Sequence, residues 1–159
     1  MPRSVTMTAS RTYPAPMEAA FDAILPAPLE RVFARGYGPI PAIRSTEQVQ
    51  PGPWGQDGYV RTIRMADGGA VREELTRVDR PTAFGYTLSE VSGPMKFLAS
   101  RVQGLWTFTP ENGGTRVTWE WIVHPASAWT APLLPVFAVL WRQFAKRSLE
   151  NIAGLMPAG

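Results

Sequence analysis

With 159 residues, 45% hydrophobic and 18% charged, the chain suits one globular domain, residues 1–159, burying about two-thirds of its unfolded surface. It has no cysteine and a single histidine, which excludes disulfide staples and thiolate metal sites and argues against a protein-held zinc or copper ion; no cofactor is expected. The net charge of +3 comes from fourteen arginines and two lysines spread along the chain, and without a Lys/Arg run no nucleic-acid partner is expected.

The opening residues, MPRSVTMTASRTY, lack the apolar core of a signal peptide. Residues 3–13 alternate, with Val5, Met7, Ala9 and Tyr13 on one face and Thr6, Thr8, Ser10 and Thr12 on the other. That period of two predicts a half-buried first strand. APMEAAFDAIL (15–25) spaces Met17, Ala20, Phe21 and Ile24 as a helix does, until Pro26 and Pro28 stop it. LERVFARG (29–36) predicts a second short helix ended by Gly36.

GYGPIPAI (36–43) reads as an ordered loop, RSTEQVQ (44–50) as a short strand and PGPWGQDG (51–58) as turns. A meander follows. YVRTIRM (59–65) and AVREELTRV (70–78) flank ADGG, a hairpin signal. DRP turns the chain into TAFGYTLSE (82–90), and a looser VSGPMKFLAS (91–100) precedes RVQGLWTFT (101–109). PENGG then turns into the strand ending at His124 and Pro125.

The last segment is helical, with Leu133, Phe137, Leu140, Trp141, Phe144, Ser148 and Ile152 on one broad stripe. Pro132 and Pro135 fit a first turn, so the helix is predicted from 132–136 to about Leu155, a rod of roughly 30 Å. Its greasy start, APLLPVFAVLW (131–141), is too short for a bilayer and is interrupted by proline. A soluble, cytoplasmic protein is the expectation. The densest basic cluster, Arg142, Lys146 and Arg147, falls late in this helix, where cations complement its dipole. The Arg-over-Lys and Ala/Pro bias hints at a bacterium with a GC-rich genome.

The order is one strand, two short helices, six more strands in antiparallel hairpins and a long C-terminal helix. An α+β fold follows, a seven-stranded sheet with one face solvated and the other gripping the helix.

Four stretches carry a family resemblance: GYVRTIRMADGGAVREEL (58–75), FGYTL (84–88), GLWTFTP (104–110) and GGTRVTWEWIVHP (113–125). Their order and spacing resemble the START-like SRPBCC superfamily, nearest its polyketide cyclase/dehydrase and lipid-transport group. The resemblance covers nearly the whole chain. It implies a helix-grip fold, a curved antiparallel sheet wrapped round the C-terminal helix, with a cavity between them. Members bind lipids, sterols, hormones or polyketides, and a minority catalyse cyclisation or dehydration; fold alone does not choose among these.

Alternation gives a separate view of the cavity wall. Tyr59, Arg61 and Ile63 share a face, as do Val71 and Glu73, then Phe84 and Tyr86. On the last two strands Trp106, Phe108, Trp119 and Trp121 follow, while Val117 and Val123 complete an inward set opposite Arg116, Thr118, Glu120 and Ile122. Phe137, Trp141 and Phe144 of the helix complete the expected ligand-binding wall. A packed aromatic core is the simpler reading of each aromatic residue taken singly. Arg61 and Glu73 fall in nearly opposed register about Asp67, so an internal ion pair is expected. A slip by one would instead pair Arg61 with Glu74 outside. His124, by strict alternation, sits on the outward face near the rim. Trp54, Met95, Phe97 and Leu98 lie on loops expected round the cavity mouth.

Three functions stay open. The first is a carrier or sensor of a small hydrophobic molecule such as a lipid, polyketide or aromatic metabolite. The second is a cyclase, aromatase or dehydratase working by positioning, with Glu73, Arg61 or Tyr86 anchoring or moving protons. The third is a module docking transiently on a membrane or protein through 129–141, using Trp129, Leu133, Leu134 and Phe137. Monomer and homodimer are both compatible with the sequence.

Overall fold

A computed structural model describes residues 3–157. The first strand, β1 (Val5–Tyr13), is followed by α1 (Met17–Ile24) and α2 (Leu29–Val32). Then come β2 (Ile43–Gln48), β3 (Val60–Met65), β4 (Ala70–Asp79), β5 (Ala83–Ser89), β6 (Ala99–Glu111) and β7 (Gly114–Pro125). The long helix α3 (Leu134–Ala153) closes the fold. The seven strands form one antiparallel sheet in the order β1-β7-β6-β5-β4-β3-β2.

The period of two does its work strand by strand. Met7 and Tyr13 of β1, and Val117, Trp119 and Val123 of β7, are buried on the face that meets α3, with Thr8, Ser10 and Arg116 exposed on the other. α3 packs against β1 and β7, α1 against β6 and β7, and α2 against β2 and α3. The Tyr13 hydroxyl donates to the Leu149 carbonyl at 2.5 Å and pins β1 to α3. Asn151 Nδ2 donates to the Val32 carbonyl at 3.1 Å and ties α2 to the same helix. Asp22 of α1 receives a fork from Arg80 at 2.8 and 2.7 Å.

Three elements differ from their sequence-based bounds. α2 ends at Val32 rather than running to Gly36, because Phe33 leaves helical geometry (φ −110°, ψ 43°) and its carbonyl accepts from the Ile43 amide at 2.9 Å. The strand expected over 44–50 is Ile43–Gln48, since Gln48 Nε2 turns back to the Gln50 and Gly52 carbonyls at 2.7 and 2.8 Å. The loose stretch before β6 contains a 3-10 turn, Pro94–Phe97.

Of the four residues that the docking alternative needs exposed, Leu134 and Phe137 are buried in the core. Helical phase explains it: Leu134, Phe137, Ala138 and Trp141 form the inward stripe. The exposed apolar set is Trp129 (91% exposed), Leu133, Val136 and Val139. No helix among the described residues is long and apolar enough to cross a membrane.

Candidate functional site

A cavity of about 120 Å³ lies between the sheet, the α1–α2 segment and α3. Strand pleating places its sheet-side wall: Arg61 and Ile63 of β3, Val71 and Glu73 of β4, Phe84 and Tyr86 of β5, Trp106 of β6, and Trp119 and Trp121 of β7. Phe144 reaches it from α3. The other expected wall residues lie elsewhere. Phe108 packs with Phe21 (5.3 Å between ring centres) at the α1 contact. Phe137 and Trp141 sit further toward the start of α3, and Trp141 lies 4.9 Å from the Trp119 ring, filling the gap there rather than bounding it. Tyr59 stands beside Trp54 just before β3, its hydroxyl donating to the Pro51 carbonyl at 3.4 Å.

The short helices and following loop contribute Val32, Phe33 and Ile40, which their irregular backbone hid from periodicity. Leu88, Val102 and Ile152 extend patterns already visible. Trp54, Pro41, Val91 and Met95 line the cavity from the loops. Leu98 packs on the core, whereas Phe97 points outward because the 3-10 turn rotates it away.

Arg61 and Glu73 are direct cross-strand partners, and Arg61 Nε donates to Glu73 Oε1 at 2.5 Å. The slipped pairing with Glu74 does not occur; Glu74 instead meets Arg72 at 3.0 Å. The Arg61 guanidinium also lies 4.0 Å from the Trp54 ring centre. Burial pushes the Glu73 carboxyl above the usual range, and the nearby Arg61 charge and hydrogen bond oppose that rise. The pair thus places two neutralising charges in an otherwise apolar wall.

A second polar feature spans three strands. Tyr86, Gly104 and Trp121 form one cross-strand row. A Cβ at Gly104 would lie 2.0 Å from Tyr86 Cζ, so only glycine lets the phenol cross β6. It reaches the β7 indoles, with Trp119 Nε1 donating to Tyr86 Oη at 2.9 Å and Trp121 Nε1 at 2.8 Å. Burial and the Glu73 charge raise the Tyr86 phenol above its usual range, against the opposing indole bonds, which keeps it neutral. The isolated glycine within β6 was the available sequence signal for this row.

His124 is on the outer face, as alternation requires, with Nε2 2.9 Å from Gln103 Oε1. Burial, then the Arg101 charge, lowers its pKa. Among the described residues, no group of three or more His, Cys, Asp or Glu side chains is placed to hold a metal ion.

The family model described as polyketide cyclase/dehydrase and lipid transport matches residues 4–156. The chain belongs to this family. Membership of this family puts the chain in the START-like SRPBCC superfamily, and solved structures share its helix-grip fold. Ara h 8.0201 is similar at 22% identity and a TM-score of 0.66, covering 95% of this chain and 96% of its own. Protein MLL2253 from Mesorhizobium loti has 17% identity and a TM-score of 0.67, covering 95% and 96%. Major latex-like protein 151 from Panax ginseng has 11% identity and a TM-score of 0.67, covering 98% and 99%. At these identities the likeness carries the fold alone. No curated protein matches the sequence.

Proposed function

We propose that this family member binds a compact hydrophobic molecule, as carrier or sensor, in the cavity between the sheet and the C-terminal helix. The observation that supports it is the cavity itself: about 120 Å³ of space behind a wall whose polar groups are Arg61, Glu73 and Tyr86. Apolar cavities of about 150 Å³ stay dry and take up benzene. The gap is therefore close to single-ring size, and a long acyl chain requires the loops bearing Trp54 and Met95 to part. The test is a panel of single-ring aromatics and one fluorescent fatty acid, read by Trp119 and Trp121 emission and by melting temperature. Saturable quenching with a raised melting temperature is expected; a flat response across the panel removes the reading.

A positioning cyclase or dehydratase is the second reading, favoured by the raised Glu73 carboxyl beside Arg61 and Tyr86. A desolvated carboxyl holds its proton nearer neutrality and serves general acid chemistry better than an exposed one. Turnover of a poly-β-ketone mimic that disappears in Glu73→Gln would establish it. Binding without turnover leaves the carrier.

A further inference from the structure

The Tyr86 hydroxyl has a proton left over. Its oxygen accepts two hydrogen bonds, from Trp119 Nε1 at 2.9 Å and Trp121 Nε1 at 2.8 Å. An indole N–H only donates, so both bonds occupy the lone pairs of the phenol oxygen and leave its own O–H unspent. Among the described residues no carbonyl, hydroxyl or carboxylate accepts that proton. Glu73 on the adjacent strand accepts from Arg61 through Oε1, and no hydrogen bond joins it to Tyr86. Tyr86 is buried and lines the cavity, so its proton faces either the cavity or nothing.

The arrangement is built across the sheet. Tyr86 pairs with Gly104, and Gly104 pairs with Trp121. The missing side chain at 104 is what lets the ring lie over β6. Two N–H groups directed at the oxygen also polarise the O–H and strengthen it as a donor.

We infer that Tyr86 donates this proton to an acceptor oxygen on the bound molecule, so that the cavity selects compact apolar ligands carrying a neutral carbonyl. This rests on the cavity reading above. A neutral acceptor suits the site better than an anion, because the Arg61 and Glu73 charges already cancel and a buried carboxylate would have no counter-charge. A pure hydrocarbon leaves the Tyr86 donor unmet in a dry site, which is itself costly.

The experiment uses acetophenone labelled with carbon-13 at the carbonyl, and ethylbenzene as its counterpart without oxygen. Calorimetry establishes binding of each, and infrared difference spectra report the carbonyl stretch of bound acetophenone. A band at lower wavenumber than in dry hexane is expected. Site-specific fluorination of the Tyr86 ring next to the hydroxyl makes the O–H a stronger donor while keeping ring, fold and indole bonds, and should move the band lower still. Ethylbenzene binding together with a hexane-like acetophenone band overturns the inference and leaves the cavity reading intact. A lowered band that fluorination does not move assigns the donor elsewhere and also overturns it. Binding of neither molecule overturns both.

Discussion

Replacing Gly104 by alanine should disturb the site from inside the sheet. The added Cβ would stand 2.0 Å from Tyr86 Cζ and within 2.5 Å of both flanking ring carbons, far inside any van der Waals contact. The backbone of β6 is held by β5 and β7 on both sides, so the Tyr86 ring has to yield. If it swings away, the Trp119 and Trp121 N–H groups both lose their acceptor. A buried donor left unpaired costs about 1–3 kcal/mol, and forcing an extra methyl into a packed wall costs about 1–3 kcal/mol more. Partial relaxation makes these less than additive, giving a loss of about 2–5 kcal/mol and a melting temperature lower by on the order of 10 °C. Urea unfolding of both proteins measures it, with tryptophan emission reporting the changed indole surroundings. A loss below about 0.5 kcal/mol, typical of an unconstrained surface site, would refute the cross-strand account of Tyr86.

Further outcomes follow from the charged pair and the terminal helix. Arg61 and Glu73 have side chains only 9% and 7% exposed, so Glu73→Leu alone, which strands the Arg61 cation, should cost about 3–5 kcal/mol, whereas the double change Arg61→Met with Glu73→Leu should cost under about 1 kcal/mol or stabilise. Additive losses in that double-mutant cycle would show that the two groups do not compensate each other. Burial raises the Glu73 carboxyl above its usual 4.5, so the folded state holds this proton more tightly than the unfolded one. Its contribution is complete below pH 4.5 and is lost as pH rises through the folded value. The stability of the parent minus that of Glu73→Gln should thus fall with rising pH over that window, and a difference that climbs would contradict the assignment. Trp129→Ser, at a site 91% exposed, should change stability by no more than about 0.5 kcal/mol, while Phe137→Ser should cost at least about 3 kcal/mol; chemical denaturation separates the two.

Much of the sheet was legible because alternation has a sharp period. The same reasoning that put Val117, Trp119 and Val123 inward also put Arg61 nearly opposite Glu73 about the Asp67 turn, leaving open a one-residue slip that the observed register excludes. The helical side of the cavity was less legible. Phe137, Trp141 and Phe144 share one stripe, and the sequence does not say where along that stripe the side chains stop filling the gap. Only Phe144 of these three reaches the cavity. Val32, Phe33 and Ile40 come from a single short helix and an irregular loop, where no period exists to mark a face. The Tyr86, Trp119 and Trp121 cluster needed knowledge of which strands lie side by side, since Tyr86 is more than 30 residues from both tryptophans.

The central claim is that the gap between sheet and helix holds a compact apolar ligand. Crystals grown with bromobenzene test it directly through the anomalous signal of bromine. The account predicts density inside the cavity, between Val71 and Trp119. An empty or water-filled cavity at saturating bromobenzene, with bromine only at the molecular surface, would contradict it.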